Sequence, residues 1–218
     1  MSFDNGPDLE ETPKVLDILK KYGVLATFFL VCNKLEAPAM RDMAKRTKDE
    51  GHWIGNHTLS HRTPLGMNPD PGAPLREIGR AQELLGDLAH PRKFFRPNGK
   101  GQVGPHLLSR AAVELLEAER FTCILWSIMP RDGTDPPGWV DRALGHCVKS
   151  PRSTVVVHDR VNGGMPYLED FIVKVRQAGG TFNQEFNPEV VAVSEGRRLL
   201  PFETIASDDN QIQDTVSR

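Results

Sequence analysis

The chain has 218 residues, with 27 Lys and Arg against 29 Asp and Glu, a formal net charge of -2 and 39% apolar residues, enough for a real hydrophobic core. The basic residues are scattered, so no stripe serves a nucleic acid or an anionic membrane surface. The longest apolar run, Val24 to Cys32, is too short to span a bilayer, and the start MSFDNGP lacks the pattern of a secretion signal, so a soluble cytoplasmic protein without membrane insertion is expected.

In chain order, residues 2–4 form the end of a short strand. Thr12 can cap a helix with Pro13 at its first position, and Val15, Leu16, Leu19 and Tyr22 give helix 13–22 its apolar face before Gly23. The run VLATFFLV, 24–31, has the length and continuity of a strand covered on both faces. A helix over 37–50, with Met40, Met43, Ala44 and Thr47 inward, leads through Gly51 to strand 52–56. Residues 62–74 hold four prolines and two glycines and form a loop. Helix 75–89 carries Leu75, Ile78, Leu85 and Leu88, and a short strand 94–96 ends in RPNGKG. Helix 106–119, strand 121–127, a helix starting at Trp139, strand 153–158, helix 166–178 and strand 181–186 repeat the unit.

Roughly seven strands alternating with helices call for parallel pairing through right-handed crossovers. One α/β domain over 1–199 is expected, followed by a polar tail, 200–218, without structure of its own. The three cysteines, Cys32, Cys123 and Cys147, lack metal-ligand spacing and lie in apolar surroundings, which points to free buried thiols in a reducing compartment.

Polar residues gather at the carboxyl ends of these strands: Asp4 and Asn5, His57 and His61, Arg96, Asp132, and His158 with Asp159. In parallel α/β folds that edge is where sites are built. If a helical turn begins near His57, a spacing of four puts both imidazoles on one face, close enough to share a metal ion. Each residue also has a plainer reading: a surface histidine pair, a turn cap at Asp4, an ordinary ion pair at Arg96, a core histidine at 158, a loop residue at Asp132. Trp126 can floor a small apolar pocket or simply pack in the core, as Trp53 and Trp139 are expected to do. His52, His90, His106 and His146 receive no role, and Asp8 and Asp159 stand as reserve carboxylates.

SFDNGP, GHWIGNHTLSH, FRPNGKG, LWSIMPRDG and VVVHD resemble, in the same order, the five motifs of the polysaccharide deacetylases, the NodB-homology domain of carbohydrate esterase family four, over residues 3–186. The resemblance implies a distorted (β/α)7-type barrel of mostly parallel strands with surrounding helices. It also implies hydrolysis of a carbon-nitrogen bond in an acetylated amino sugar or oligosaccharide, in carbohydrate metabolism. It assigns Asn5, His57 and His61 to a divalent metal, zinc first, with cobalt, manganese or nickel as alternatives. Asp4 becomes the general base and His158 the general acid. Arg96 orients Asp4, Asp132 holds His158 in its tautomer, and Trp126, Pro97 and Asn98 face the substrate.

The chain departs from the family's pattern at Asn5, where the first motif has a second aspartate. An amide oxygen can bind a hard cation but brings no charge, so metal affinity should fall. Three readings follow: a weaker or different metal, Asp4 drafted as ligand, or a site without metal. Asn98, Met129 and Gly133 depart from the third and fourth motifs and reshape the pocket rim. The alternatives to a deacetylase are a catalytically silent carbohydrate-binding relic and a deformylase or cyclic amide hydrolase.

Overall fold

The computed structural model describes residues 1–207. In chain order the elements are β1 (Ser2–Asp4), α1 (Glu11–Lys21), β2 (Thr27–Leu30), α2 (Pro38–Asp49) and β3 (Trp53–Asn56). A π-helical turn (Leu75–Arg80) runs into α3 (Ala81–Leu85), followed by β4 (Phe94–Phe95), β5 (Leu108–Ser109), α4 (Arg110–Ala118) and β6 (Thr122–Ile124). Then come α5 (Trp139–Cys147), β7 (Val156–His158), α6 (Leu168–Gln177), β8 (Val191–Ser194), β9 (Arg197–Arg198), α7 (Phe202–Ile205) and β10 (Ala206–Ser207). The chain is a mixed α/β fold of mostly parallel strands with surrounding helices, as its alternating pattern requires. Among the described residues no helix is long and apolar enough to cross a membrane.

The chain forms two compact units. The first comprises 1–30, 34–54 and 126–188. In it β1 runs parallel to β2 on one side and β7 on the other, with Asp4 opposite both Phe29 and His158. All three strands are buried up to their last residues, and Phe3 stacks on Phe28 with ring centroids 4.8 Å apart. Covered side chains of this size each contribute about 1.5–3 kcal/mol, which keeps strands of three or four residues in place. α1 buries Val15, Leu16 and Leu19 and exposes its lysines, the face that its spacing predicts. α5 and α6 meet through Trp139 and Phe171, whose rings lie 5.0 Å apart, and the Trp139 indole donates to Gly164 O at 2.8 Å.

The second unit comprises 31–33, 55–125 and the described residues from 189 onward. Here Asn56 of β3 pairs with Phe95 of β4, and β4 runs parallel to β6. β8 joins β6 antiparallel and turns back into β9 through Glu195 and Gly196, at φ 48° and 86°. Cys32 and Cys123 are buried thiols outside any disulfide, their pKa pushed up to about 12 by burial, and Cys147 is a half-buried thiol, also outside any disulfide.

Three expectations need correction. Thr181–Phe186 is irregular: Gln184 uses its amide to donate to the carbonyls of Ala26 and Gly51 at 3.0 and 3.2 Å, and the strand that follows is Val191–Ser194. The unstructured tail does not begin at 200, because Ile205 is buried and Ala206–Ser207 pairs with Leu108–Ser109; residues 208–218 lie outside the described residues. Leu75, expected inward, is exposed, and Glu77 is buried instead.

Gly66 shows how closely the second unit is packed there. A Cβ at this position would stand 2.6 Å from the carbonyl oxygens of both Leu108 and Pro105, main-chain atoms that cannot swing aside. Gly66→Ala is therefore expected to destabilise the protein by about 1–3 kcal/mol, read as a lower urea midpoint. An unchanged midpoint would show that the loop can slide away from β5.

Candidate active site

The residues singled out by the sequence divide between the units: Asp4, Asn5, Trp126, Asp132, His158 and Asp159 belong to the first, and His57, His61, Arg96, Pro97 and Asn98 to the second.

In the first unit, Asp4 ends β1 and His158 ends β7 at the same register, so the two stand side by side at the carboxyl edge of neighbouring parallel strands. Asp4 is 1% exposed. Asp132, fully buried, grips His158 twice: Oδ2 accepts from the main-chain N–H at 2.8 Å, and Oδ1 accepts from the ring Nδ1 at 3.0 Å. A carboxylate can only accept, so Nδ1 carries the proton and Nε2 is the atom left for chemistry. Burial pulls the His158 pKa down, but the hydrogen bond and charge of Asp132, with the charge of Asp4, outweigh it and hold the imidazole above its ordinary value; Arg160 opposes weakly.

Asn5 turns the chain out of β1 in the left-handed region, φ 75°, which asparagine and aspartate tolerate better than most residues. Its carbonyl takes the Lys34 ammonium at 2.7 Å, and its side-chain Oδ1 is buried with no hydrogen-bond partner. Asp159 lies against the next residue: a Cβ on Gly6 would fall 2.6 Å and 2.8 Å from its two carboxyl oxygens, so a larger residue there would push the Asp159 carboxyl aside. Asp159 Oδ2 accepts from the Thr12 hydroxyl at 2.5 Å while Oδ1 has no partner, and burial raises its pKa to about 7. Thr12 thus holds Asp159 rather than capping α1; Asp8 takes the amides of Glu10 and Glu11 at 2.8 and 2.9 Å instead. Trp126 is buried at 7% exposure, close to the carboxyl end of β6 in sequence.

In the second unit the histidines follow β3. Their rings lie 4.7 Å apart at an interplanar angle of 52°. No helical turn brings them together: Thr58 and His61 adopt φ 68° and 53°, and the Thr58 hydroxyl accepts from His61 N at 2.9 Å. His57 Nδ1 meets the Arg96 carbonyl at 2.8 Å, so Nδ1 carries the proton and Nε2 keeps its lone pair. Arg96, fully buried, donates to the carbonyls of Ile124 and Leu125 at 3.1 and 3.2 Å. Pro97 is buried, and Asn98 donates to the carbonyls of His61 and Arg62 at 3.2 and 3.3 Å. Among the described residues no group of three or more His, Cys, Asp or Glu side chains is placed to hold a metal.

A family model described as polysaccharide deacetylase matches residues 1–112, slightly over half of the chain. The chain belongs to the polysaccharide deacetylase family. A peptidoglycan-N-acetylglucosamine deacetylase of Bacillus cereus is 33% identical over 189 residues, covering 84% of this chain and 64% of that protein. A peptidoglycan-N-acetylmuramic acid deacetylase of Bacillus subtilis is 46% identical over 191 residues, covering 84% of this chain and 67% of that protein. The crystal structure of a peptidoglycan N-acetylglucosamine deacetylase superposes with a TM-score of 0.70 at 31% identity, over 89% of this chain and 87% of that one.

Two residues around the deacetylase histidine motif escaped the sequence reading. Asn56 bridges the loop, its Oδ1 accepting from Thr58 N at 2.9 Å and its Nδ2 donating to Ile78 O at 3.0 Å. Glu77 binds Ser60 through both carboxylate oxygens at 2.9 Å. A buried Asn beside the first histidine was the available signal for one of them; the partner of the other lies 17 residues away and left none.

Proposed function

We propose that this chain is a metal-dependent hydrolase that removes the N-acetyl group from an amino sugar of a peptidoglycan-type polysaccharide or oligosaccharide. The observation that carries the reading is the buried Asp132 gripping His158 at the strand end beside Asp4, in a member of the polysaccharide deacetylase family. The names of the bacterial relatives support the substrate class.

The chemistry of the individual donors supports a divalent metal. His57 Nε2 is left with its lone pair by the bond at Nδ1, His61 stands beside it, and Asn5 Oδ1 is a buried oxygen with no donor. We assign these three residues to the ion, with zinc first. When bound, such an ion lowers the pKa of water and polarises an amide carbonyl. Asp4 takes the proton lost by the attacking water, and its burial beside His158 keeps the two proton-handling groups together. His158 delivers the Nε2 proton to the departing amine, while Asp132 steadies the imidazolium through Nδ1. The carbon-nitrogen bond breaks, acetate and a free amino sugar leave, and the family's pattern gives Arg96 and Trp126 positioning and pocket-lining roles.

Acetate release from an N-acetylglucosamine oligosaccharide tests this. Activity should vanish on chelation and return with Zn2+ or Co2+. Asn5→Asp should tighten metal binding about tenfold or more, because it adds a negative ligand. No acetate with any added metal would sink the catalytic reading.

A further inference from the structure

Thr58, Leu59 and Ser60 are all that separates the two histidines, and their backbone is not a regular turn. Left-handed conformations at Thr58 and His61 persist only where the surroundings over-determine them. Glu77, 8% exposed on the π-helical turn, holds two of the three intervening residues. Its Oε2 accepts from Ser60 N and its Oε1 from Ser60 Oγ, both at 2.9 Å, and its main-chain carbonyl accepts from Leu59 N at 2.9 Å. From the other end Asn98, 5% exposed, fixes the carbonyls of His61 and Arg62. His57 is anchored independently, through Nδ1, on the Arg96 carbonyl. The start of the loop is held as well, by Cys32 N and Asn33 N on the Thr58 and Leu59 carbonyls at 3.0 Å and by Asn56 on Thr58 N, so Glu77 and Asn98 are the side chains from outside the loop that hold its Ser60–His61 end.

We propose that Glu77 and Asn98 are positioning residues that fix His61 relative to His57 and thereby set the protein's affinity for a divalent metal, Glu77 acting through reach rather than charge. The inference rests on the metal reading proposed above. Reach and charge are separable here. Glutamine keeps the length, its oxygen accepting from Ser60 N and its NH2 donating to the Ser60 hydroxyl, which can rotate to accept. Aspartate keeps the charge but falls one methylene short.

The test is titration of the metal-free full chain with Co2+, followed by calorimetry and by the visible absorption of the bound ion. Folding of each variant is checked by circular dichroism and thermal midpoint. Glu77→Gln is expected to bind within about threefold of the unaltered protein, whereas Glu77→Asp and Asn98→Ala weaken binding by about 10–100-fold and alter the visible bands. Unaltered Co2+ binding in folded Glu77→Asp and Asn98→Ala would overturn the inference while leaving the metal reading intact. Weakening of Glu77→Gln to the level of Glu77→Asp would overturn the reach argument. Failure of the unaltered chain to bind Co2+ would overturn the metal reading and this inference with it.

Discussion

Asp132→Asn is expected to lower kcat for acetate release by about 10²–10⁴-fold and to move the alkaline limb of the pH-rate profile to lower pH. The geometry leaves the asparagine one way to fit. Its oxygen must stay on the His158 main-chain N–H, where Asp132 Oδ2 now accepts at 2.8 Å, because an NH2 there would face another donor. The NH2 then confronts Nδ1, which has to accept, so the ring's proton sits on Nε2 and the imidazolium loses its partner. In the native protein Asp132 and Asp4 hold His158 above its ordinary pKa against the opposing effect of burial, and the acid form persists to higher pH. With Asp132 neutralised, burial dominates and the acid form is lost earlier on the way up. Because the replacement is isosteric, the thermal midpoint checks that the fold survives. A second substitution, His158→Gln, should add little in that background, since the two residues act as a unit. A pH profile that stays in place would mean that His158 is not the proton donor.

What the sequence allowed and what it hid follow one physical line. The strands of the first unit were legible because the runs VLATFFLV and VVVH contain Thr27–Leu30 and Val155–Val157, which are buried on both faces, although Leu25 at the start of the first run is exposed. The segment TFNQEF alternates like a strand, yet it supplies no ladder; its glutamine reaches two carbonyls on other segments, and periodicity cannot register a contact of that range. The β8–β9 hairpin was missed because each arm is short and its turn rests on Glu195 and Gly196 in left-handed conformations. The histidine pair was found for a reason the structure replaces. Spacing suggested one helical face, whereas the rings meet through a loop held by Asn56, Glu77 and Asn98. Side-chain clamps over such distances leave no periodic trace, so the residues that shape a site are harder to read than those that perform its chemistry.

Asp159→Asn should flatten the dependence of stability on pH, an effect of several kcal/mol in a residue that the proposed chemistry does not use. The carboxyl group is 1% exposed, with one oxygen on Thr12 and the other without a donor, so its charged form is poorly supported and burial raises its pKa to about 7. Below the ordinary carboxyl value both the folded and unfolded chains hold the proton, and the group takes nothing from stability. Between there and about 7 only the folded chain holds it, so stability falls as pH rises, and above that value the loss is complete. A gap of about three units corresponds to about 4 kcal/mol, of which about 2–3 kcal/mol falls between about pH 5 and about pH 8. His158, also raised, loses its contribution in the same direction as pH climbs through its folded value, so the variant is needed to separate the two. Asparagine can keep the Thr12 contact, and its NH2 at the unpartnered position adds an offset that does not change with pH. Urea unfolding at the two pH values should therefore show the native protein losing about 2–3 kcal/mol more than the variant. Equal losses would mean that Asp159 is ionised in the fold at both, and that a donor outside the Thr12 hydroxyl supports its second oxygen.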